Sequence, residues 1–379
     1  MKALRVIYSA AMIALLGISG TFAQDAIPIG LSSPQTGGAA YLGQHQRQGA
    51  ELAVAELNEA GGVLGRQLEL KVQDNQCNPT QGVASADQLI DVGKVVAIIG
   101  GLCSSVTLAI MPVIERAKIP LIVDVSTNPK ISEAAGAGGN IWTFQINPSD
   151  AGLAAALGDY LASKGTYKSI AFIGEDSDYG RGGHDALKAA LVKSGIEIGS
   201  ADFFIQGTAD FASVIARLRS EKPDAIALYA VGADELNFLR QYRAAGLKIP
   251  ITGRIELSDL QASLIDAGAL DGATSVFPYA PSVDTEGNKA FVAKFTGKFG
   301  EAPNYQSFEG YEAVKVLADA ITRAGNAEPA AIRDALVTTS YPSLLDETIS
   351  FDEHNQAHNK AVILRVDGTK VVVDSTSGT

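Results

Sequence analysis

Cysteine is scarce in this 379-residue chain, which holds only Cys77 and Cys103. Neither lies near the N-terminus, so no thiol is placed there to carry a lipid. Basic charge is also short: 30 Lys and Arg stand against 42 Asp and Glu, a formal charge of −12. Nucleic acid and anionic membrane surfaces draw proteins through neutralising cations, so this balance argues against both as partners. Long apolar runs are missing as well. The stretch 6–18 is too short to span a bilayer comfortably, and no later segment is longer. Finally, the common catalytic signatures are absent: no G-x-S-x-G elbow, no Walker loop and no complete G-x-G-x-x-G. Gly180-Arg181-Gly182-Gly183 resembles a phosphate loop only loosely and reads better as a helix start. His354 and His358 stand four residues apart beside Asp352 and Glu353, but D-E-H-N-Q-A-H-N reads as a polar turn with solvated histidines rather than a metal site. The chain is therefore expected to do no chemistry of its own and to need no cofactor or metal.

What is present begins with a targeting segment. Lys2 and Arg5 precede the apolar stretch 6–18, and Thr21-Phe22-Ala23 puts small residues where a signal peptidase cuts. Cleavage near Ala23 would leave an exported, soluble chain from about Gln24, with a formal charge of −14 once Lys2 and Arg5 are gone. Its length exceeds one ordinary core and points to two domains.

The most informative stretch is 95–129. Residues 95–99 are an apolar strand, followed at once by Gly100-Gly101 and by Ser104-Ser105 at the head of an amphipathic helix. Pro120 opens a second strand, 121–125, which ends in Ser126-Thr127-Asn128-Pro129. Strand, turn, helix, strand, turn is a unit of parallel sheet, and both turns fall at carboxyl ends of neighbouring strands, where open α/β sheets bind ligands. The first turn offers helix N-terminal N–H groups beside two hydroxyls, a setting suited to a carboxylate.

The alternation continues on both sides. Strands are expected at 27–31, 67–72, 140–145, 169–174, 201–205, 225–229, 249–252 and 274–279, with helices between them and a tail of two or three strands from Thr348. The fold class is α/β, in two doubly wound parallel-sheet halves. Cys77 follows the strand 67–72 and Cys103 follows 95–99. In an oxidising compartment they read as one disulfide; the rival is a reactive Cys103 at a helix N-terminus, which the presence of a partner cysteine disfavours.

Several short motifs, in order, carry a family resemblance. They are S-x-x-T-G at Ser33 to Gly37, Leu57-Asn58-x-x-Gly61-Gly62, Asp74-Asn75-x-Cys77-x-Pro79, Gly101-x-Cys103-Ser104-Ser105, Ser126-Thr127-x-Pro129, Asp178-Tyr179-Gly180 and Arg243-Ala244-Ala245-Gly246. Over its whole mature length the chain resembles the periplasmic branched-chain amino-acid-binding proteins, type I solute-binding components of ATP-driven (ABC) importers. The resemblance implies two lobes that close on a ligand about a multi-strand hinge. The first lobe would comprise residues 24–146 and 277–353, the second 147–276 and 354–379. It places Ser104 at the ligand carboxylate, the backbone of Val125 beside it, Thr127 at both carboxylate and ammonium, and Tyr179 over the ligand from the second lobe. The partners implied are a small-molecule ligand, an amino acid of Leu/Ile/Val type, and a membrane permease, with the binding protein itself a periplasmic monomer.

The sequence departs from the family where side chains are discriminated. A second-lobe tyrosine is replaced by Val231, and an aromatic of the first loop aligns with Leu42 beside Tyr41. The glutamate that meets the ligand ammonium falls on Ile255, one residue from Glu256. Asp124, just before the Val125 contact, is an unexpected acid able to take over that ammonium. An amino acid thus requires Asp124 or Glu256 to face the cleft; otherwise an aromatic acid or amide, bound by relatives on the same scaffold, fits better. A ligand-sensing module presenting the same pocket to a receptor is the other alternative.

Overall fold

The computed structural model describes residues 25–258 and 261–378; the targeting segment and its cleavage point lie outside the described residues. The chain opens with β1 (Ile27–Ser33), α1 (Ala40–Glu59), β2 (Leu68–Asp74), α2 (Pro79–Asp87), β3 (Ile98–Gly100), α3 (Ser104–Ala117), β4 (Leu121–Val123), α4 (Pro129–Ala134) and β5 (Thr143–Gln145). These strands form an all-parallel sheet in the order β2-β1-β3-β4-β5. The winding reverses at β1 and β3, which leaves a crevice at their carboxyl ends.

A second series follows: α5 (Asp150–Lys164), β6 (Ser169–Glu175), α6 (Asp178–Val192), β7 (Glu197–Phe204), α7 (Ala212–Glu221), β8 (Ala225–Tyr229), α8 (Gly232–Ala244), β9 (Ile251–Gly253) and α9 (Ala262–Asp266). Its parallel sheet runs β7-β6-β8-β9. β10 (Thr274–Phe277) lies beside β9, where Thr274 Oγ1 donates to Thr252 Oγ1 at 2.8 Å. The chain then forms α10 (Glu286–Phe299), α11 (Tyr305–Ala324), α12 (Pro329–Val337), the small hairpin β11 (Tyr341–Pro342) and β12 (Thr348–Ile349), and finally β13 (Lys360–Asp367) and β14 (Lys370–Gly378). β13 pairs antiparallel with both β10 and β14.

The apolar cores follow these sheets. One cluster unites the first sheet with Phe291, Phe308, Leu317 and Ile332 of α10, α11 and α12. Two others cover the second sheet and take in Val276, Ile363 and Val366 from β10 and β13. The chain thus crosses between the two bodies after β5, after β10 and before β13. Within the first body, α1 lies directly on α11: a Cβ at Gly49 would strike the backbone of Ser307, and one at Gly310 the backbone of Gln46. α11 starts cleanly because Asn304 and Ser307 form a reciprocal capping box.

The structure departs from the sequence reading mainly at ends. β4 stops at Val123 rather than at residue 125. Short α4 and α12 begin with Pro129 and Pro329 at their first turns, signals that also suit a plain turn.

Candidate functional site

Residues just past β3, β4, β6, β8 and β9 line one cleft of about 700 Å³, joined by Leu42 of α1, Phe277 of β10 and Tyr305 and Gln306 of α11. Both sheets therefore present their carboxyl ends to the same space.

On the first-sheet side, Gly100 and Gly101 take φ of 118° and 97°. Side-chain-bearing residues rarely adopt these values, and a Cβ at Gly101 would run into the Thr107 side chain. The resulting tight turn delivers Cys103 as the N-cap of α3 and puts Ser104 and Ser105 in its first turn. Ser104 Oγ accepts from the Asn128 N–H at 3.3 Å, and Ser105 Oγ accepts from the Asp178 N–H at 3.1 Å. Each hydroxyl keeps its proton for another acceptor, next to the positive end of the helix. Cys103 is joined to Cys77 with Cα atoms 5.5 Å apart, and among the described residues there is no free cysteine. The disulfide fastens the loop after β2 to the turn that carries the serines, and closing such a loop stabilises by roughly 3 kcal/mol on the chain-entropy account.

The next turn is committed differently. Thr127 Oγ1 donates to Asp150 Oδ2 at 2.9 Å, so toward the cleft that hydroxyl acts as an acceptor. The Val125 carbonyl accepts from the Tyr305 hydroxyl at 3.2 Å, and Tyr305 in turn receives Asn147 Nδ2 at 3.1 Å. Asp124 points the other way. Val125 joins the cleft wall, whereas Asp124 is fully buried outside it, its oxygens receiving Gln46 Nε2 at 2.8 and 2.7 Å.

The second-sheet wall is rich in acceptors. Glu175 receives the Val231 N–H at 3.2 Å; Glu235 receives the Glu256 N–H at 3.0 Å and Gln261 Nε2 at 2.7 Å; Glu256 receives Gln306 Nε2 at 3.0 Å. Gln306 Oε1 is buried without a hydrogen-bond partner. Among these acids stands one cation, Arg254, whose Nη1 meets Asp150 Oδ1 at 3.2 Å and whose Cζ lies 4.4 Å from the Phe277 ring centroid. Tyr179, Leu42 and Val231 supply the apolar boundary, with the Tyr179 ring 5.9 Å from that of Tyr229.

Two open sheets sharing one cleft, crossed three times by the chain, describe a two-lobed binding protein, and residues 26–370 match the periplasmic binding protein family. The chain belongs to that family. It is 28% identical over 350 residues, covering 92% of both chains, to a leucine-, isoleucine-, valine-, threonine- and alanine-binding protein of Pseudomonas aeruginosa. It is 32% identical over 257 residues, 68% of this chain and 69% of the relative, to a Leu/Ile/Val/Thr-binding protein of Salmonella typhimurium. Among solved structures, a leucine-binding protein of Thermotoga maritima superposes with a TM-score of 0.83 at 26% identity, over 93% of this chain and 99% of the other. A solute-binding protein from R. palustris in complex with benzoate shares the fold at TM-score 0.86 and 22% identity, over 93% and 97%.

In this periplasmic binding protein the sequence-derived residues Ser104, Val125, Thr127, Tyr179 and Glu256 come together in one cleft, while Asp124 is absent from its lining. Leu42 and Val231, where the family carries aromatics, also line it. Sequence reasoning missed Glu175, Glu235, Arg254, Phe277 and Tyr305. Glu175 and Arg254 sit at the carboxyl ends of β6 and β9, so the strand-end rule applied to every strand would have found them. Tyr305 arrives from a helix far along the chain and has no local signal. Ionisation in the wall is governed by desolvation. Burial, helped by Asp234, pushes Glu175 up to about 7. Burial and then Glu256 push Glu235 well above the ordinary range, and burial raises Glu256. Asp150 is pushed up to about 6 by burial against the pull of Arg254.

Proposed function

We propose that this protein captures a small apolar amino acid of the leucine, isoleucine and valine type between its lobes and delivers it to the permease of an ABC importer. The observation that carries this reading is the polarity of the cleft. Hydroxyl donors at the N-terminus of α3 (Ser104, Ser105) face a wall of carboxyl acceptors (Glu175, Glu235, Glu256). A zwitterion offers a carboxylate to the first and an ammonium to the second, and burying that ammonium without a counter-charge would be strongly penalised. Leu42, Tyr179 and Val231 leave an apolar space for the side chain. The names of the relatives agree with this ligand class. Ser104, Thr127 and the Val125 backbone belong to the head-group pocket, with Tyr179 closing over it and Glu256 meeting the ammonium.

We assign residues 24–146 and 277–353 to the first lobe and 147–276 and 354–379 to the second. The separate apolar clusters of the two sheets support the division at β5 and β10, while Ala357 packs with the first core and Ala280 with Val362 and Leu364 of β13. The protein works as a monomer that binds without turning its ligand over, exported to the periplasm after cleavage near Ala23. A second reading, an aromatic acid, is favoured by one observation: the guanidinium of Arg254 lying over the Phe277 ring within the cleft.

The test is a thermal-shift and calorimetric comparison of L-leucine, L-valine, L-phenylalanine and benzoate. L-Leucine at a hundred times its Kd is expected to stabilise by about 2.7 kcal/mol, and Glu256→Gln to weaken it. Benzoate binding with all three amino acids failing would replace the amino-acid reading by the second one.

A further inference from the structure

One cleft residue has no role in the zwitterion scheme just given. Arg254 is 4% exposed and lines the cleft at the end of β9. A buried guanidinium carries five N–H donors and is never neutral in a protein. Only its Nη1 is engaged, on Asp150, while its Nε–H is buried with no acceptor. The Phe277 ring, its centroid 4.4 Å from Cζ, covers the group without accepting any of its N–H donors. A donor left unpaired in the interior is costly unless another partner arrives.

The surroundings define that partner. The Asp150 carboxylate bridges Arg254 Nη1 at 3.2 Å and the Thr127 hydroxyl at 2.9 Å. The first-lobe head-group turn and the second-lobe guanidinium are therefore within one carboxylate of each other. Asp150 itself is fully buried and absent from the cleft lining, so it holds this pair from beneath. The acids of the wall do not pair with Arg254: its one ion pair among the described residues is with Asp150, while Glu235 and Glu256 receive Gln261, backbone and Gln306.

We infer that Arg254 reads the carboxylate of the bound ligand from the second lobe, opposite Ser104, so that the anion is held by both lobes at once. The assignment rests on the cleft being the solute-binding site; it holds for any carboxylic acid, amino acid or aromatic. Its consequence is selection: an amine that lacks the carboxylate leaves Arg254 unanswered and is rejected even though the carboxyl wall would accept its ammonium. Arginine suits this better than lysine, because its planar fork matches two carboxylate oxygens while Asp150 keeps the other edge.

The experiment pairs ligand and protein changes. L-Leucinamide keeps the ammonium and side chain of L-leucine and replaces the carboxylate by a neutral amide. Wild-type protein is expected to prefer L-leucine by about tenfold or more, the range for a hydrogen bond to a charged group, and Arg254→Met to bring the two Kd values within about threefold. Because that variant strands a buried Asp150, the double variant Asp150→Asn, Arg254→Met is measured alongside, and Arg254→Lys tests the fork. In wild-type protein the Arg254 Nε–H resonance should shift on adding L-leucine and not on adding L-leucinamide. Equal losses for both ligands in the variants, or an unmoved resonance, overturn the assignment while leaving the amino-acid reading intact. Benzoate binding without L-leucine overturns the amino-acid reading, and the same comparison with benzamide then decides on Arg254. A wild-type protein that binds neither acid overturns both.

Discussion

At the scale of single residues, the deeply buried carboxyl groups of this protein are shifted upward, whereas ion-paired Glu56, against the effect of burial, is pulled down to about 2 by Tyr311, Lys294 and Lys315. Asp124, Glu175 and Glu312 are each pushed up to about 7, burial being the largest cause in every case. For Asp124 the sign follows from proton counting. An unfolded aspartate titrates near about 3.9, so between that pH and 7 the folded state holds more protons than the unfolded state. Stability contributed at this site is present at low pH and is lost as pH rises through the window. Gln46 sharpens the point, because its Nε2 serves both Asp124 oxygens while its Oε1 is buried with no partner. A proton on Asp124, or the amide of an asparagine, supplies the missing donor after a turn of the Gln46 amide. Asp124→Asn is therefore expected to raise stability at pH 8 by on the order of 2 kcal/mol and to change it little at pH 4.5, read from denaturation midpoints. A loss of stability at pH 8 would contradict this. The same residue shows what sequence hides. The turns that carry Ser104 and Thr127 to the cleft were readable because strand ends are local, whereas Val125, the neighbour of Asp124, came only with the family resemblance. Which way Asp124 faces depends on Gln46, 78 positions away, and no local pattern records that.

At the scale of elements, the alternation of strands and helices was legible almost throughout, since each apolar run of a buried parallel strand is bounded by turn residues. β8 was placed at its observed limits, Ala225–Tyr229. What the pattern could not give is the partner of each helix. α1 and α11 meet with backbones touching at Gly49 and Gly310, and nothing in either segment announces the other. Gly310→Ala is expected to force these helices apart and destabilise the protein by about 1–3 kcal/mol, the usual cost of overfilling a packed interface. Chemical denaturation of the variant reads this directly. Gly297, on α10, has nothing within 4 Å of a built Cβ, so Gly297→Ala serves as the control and is expected to stabilise slightly through helix propensity. Equal effects at the two positions would show that the crossing tolerates a methyl group. The disulfide belongs to this scale too. It joins two loops, and its position beside Ser104 ties loop stability to the geometry of the turn that opens α3.

At the scale of the whole molecule, the two lobes already touch across the cleft. Ser105 receives the Asp178 N–H at 3.1 Å, and Asn128 Nδ2 donates to the Asp178 carbonyl. The three crossings permit hinge closure of the kind for which periplasmic binding proteins are the standard example. In solution, L-leucine is expected to shift an ensemble that includes opened lobes toward this closed form, so the radius of gyration from X-ray scattering should fall on its addition. It should stay constant with L-leucinamide if Arg254 must be answered before the lobes close. An unchanged radius with bound L-leucine would mean that the lobes are closed without ligand.

The packing of α1 on α11 also sets a clock. α1 ends at Glu59 and α11 begins at Tyr305. A ribosome adding about 5–20 residues per second needs roughly ten to fifty seconds to cover that gap. For all of that time the face of α1 that meets α11 lacks its partner, and the first lobe cannot be completed. A nascent chain that is obliged to wait cannot close this core early, and the lobe is finished only after its distant half has emerged.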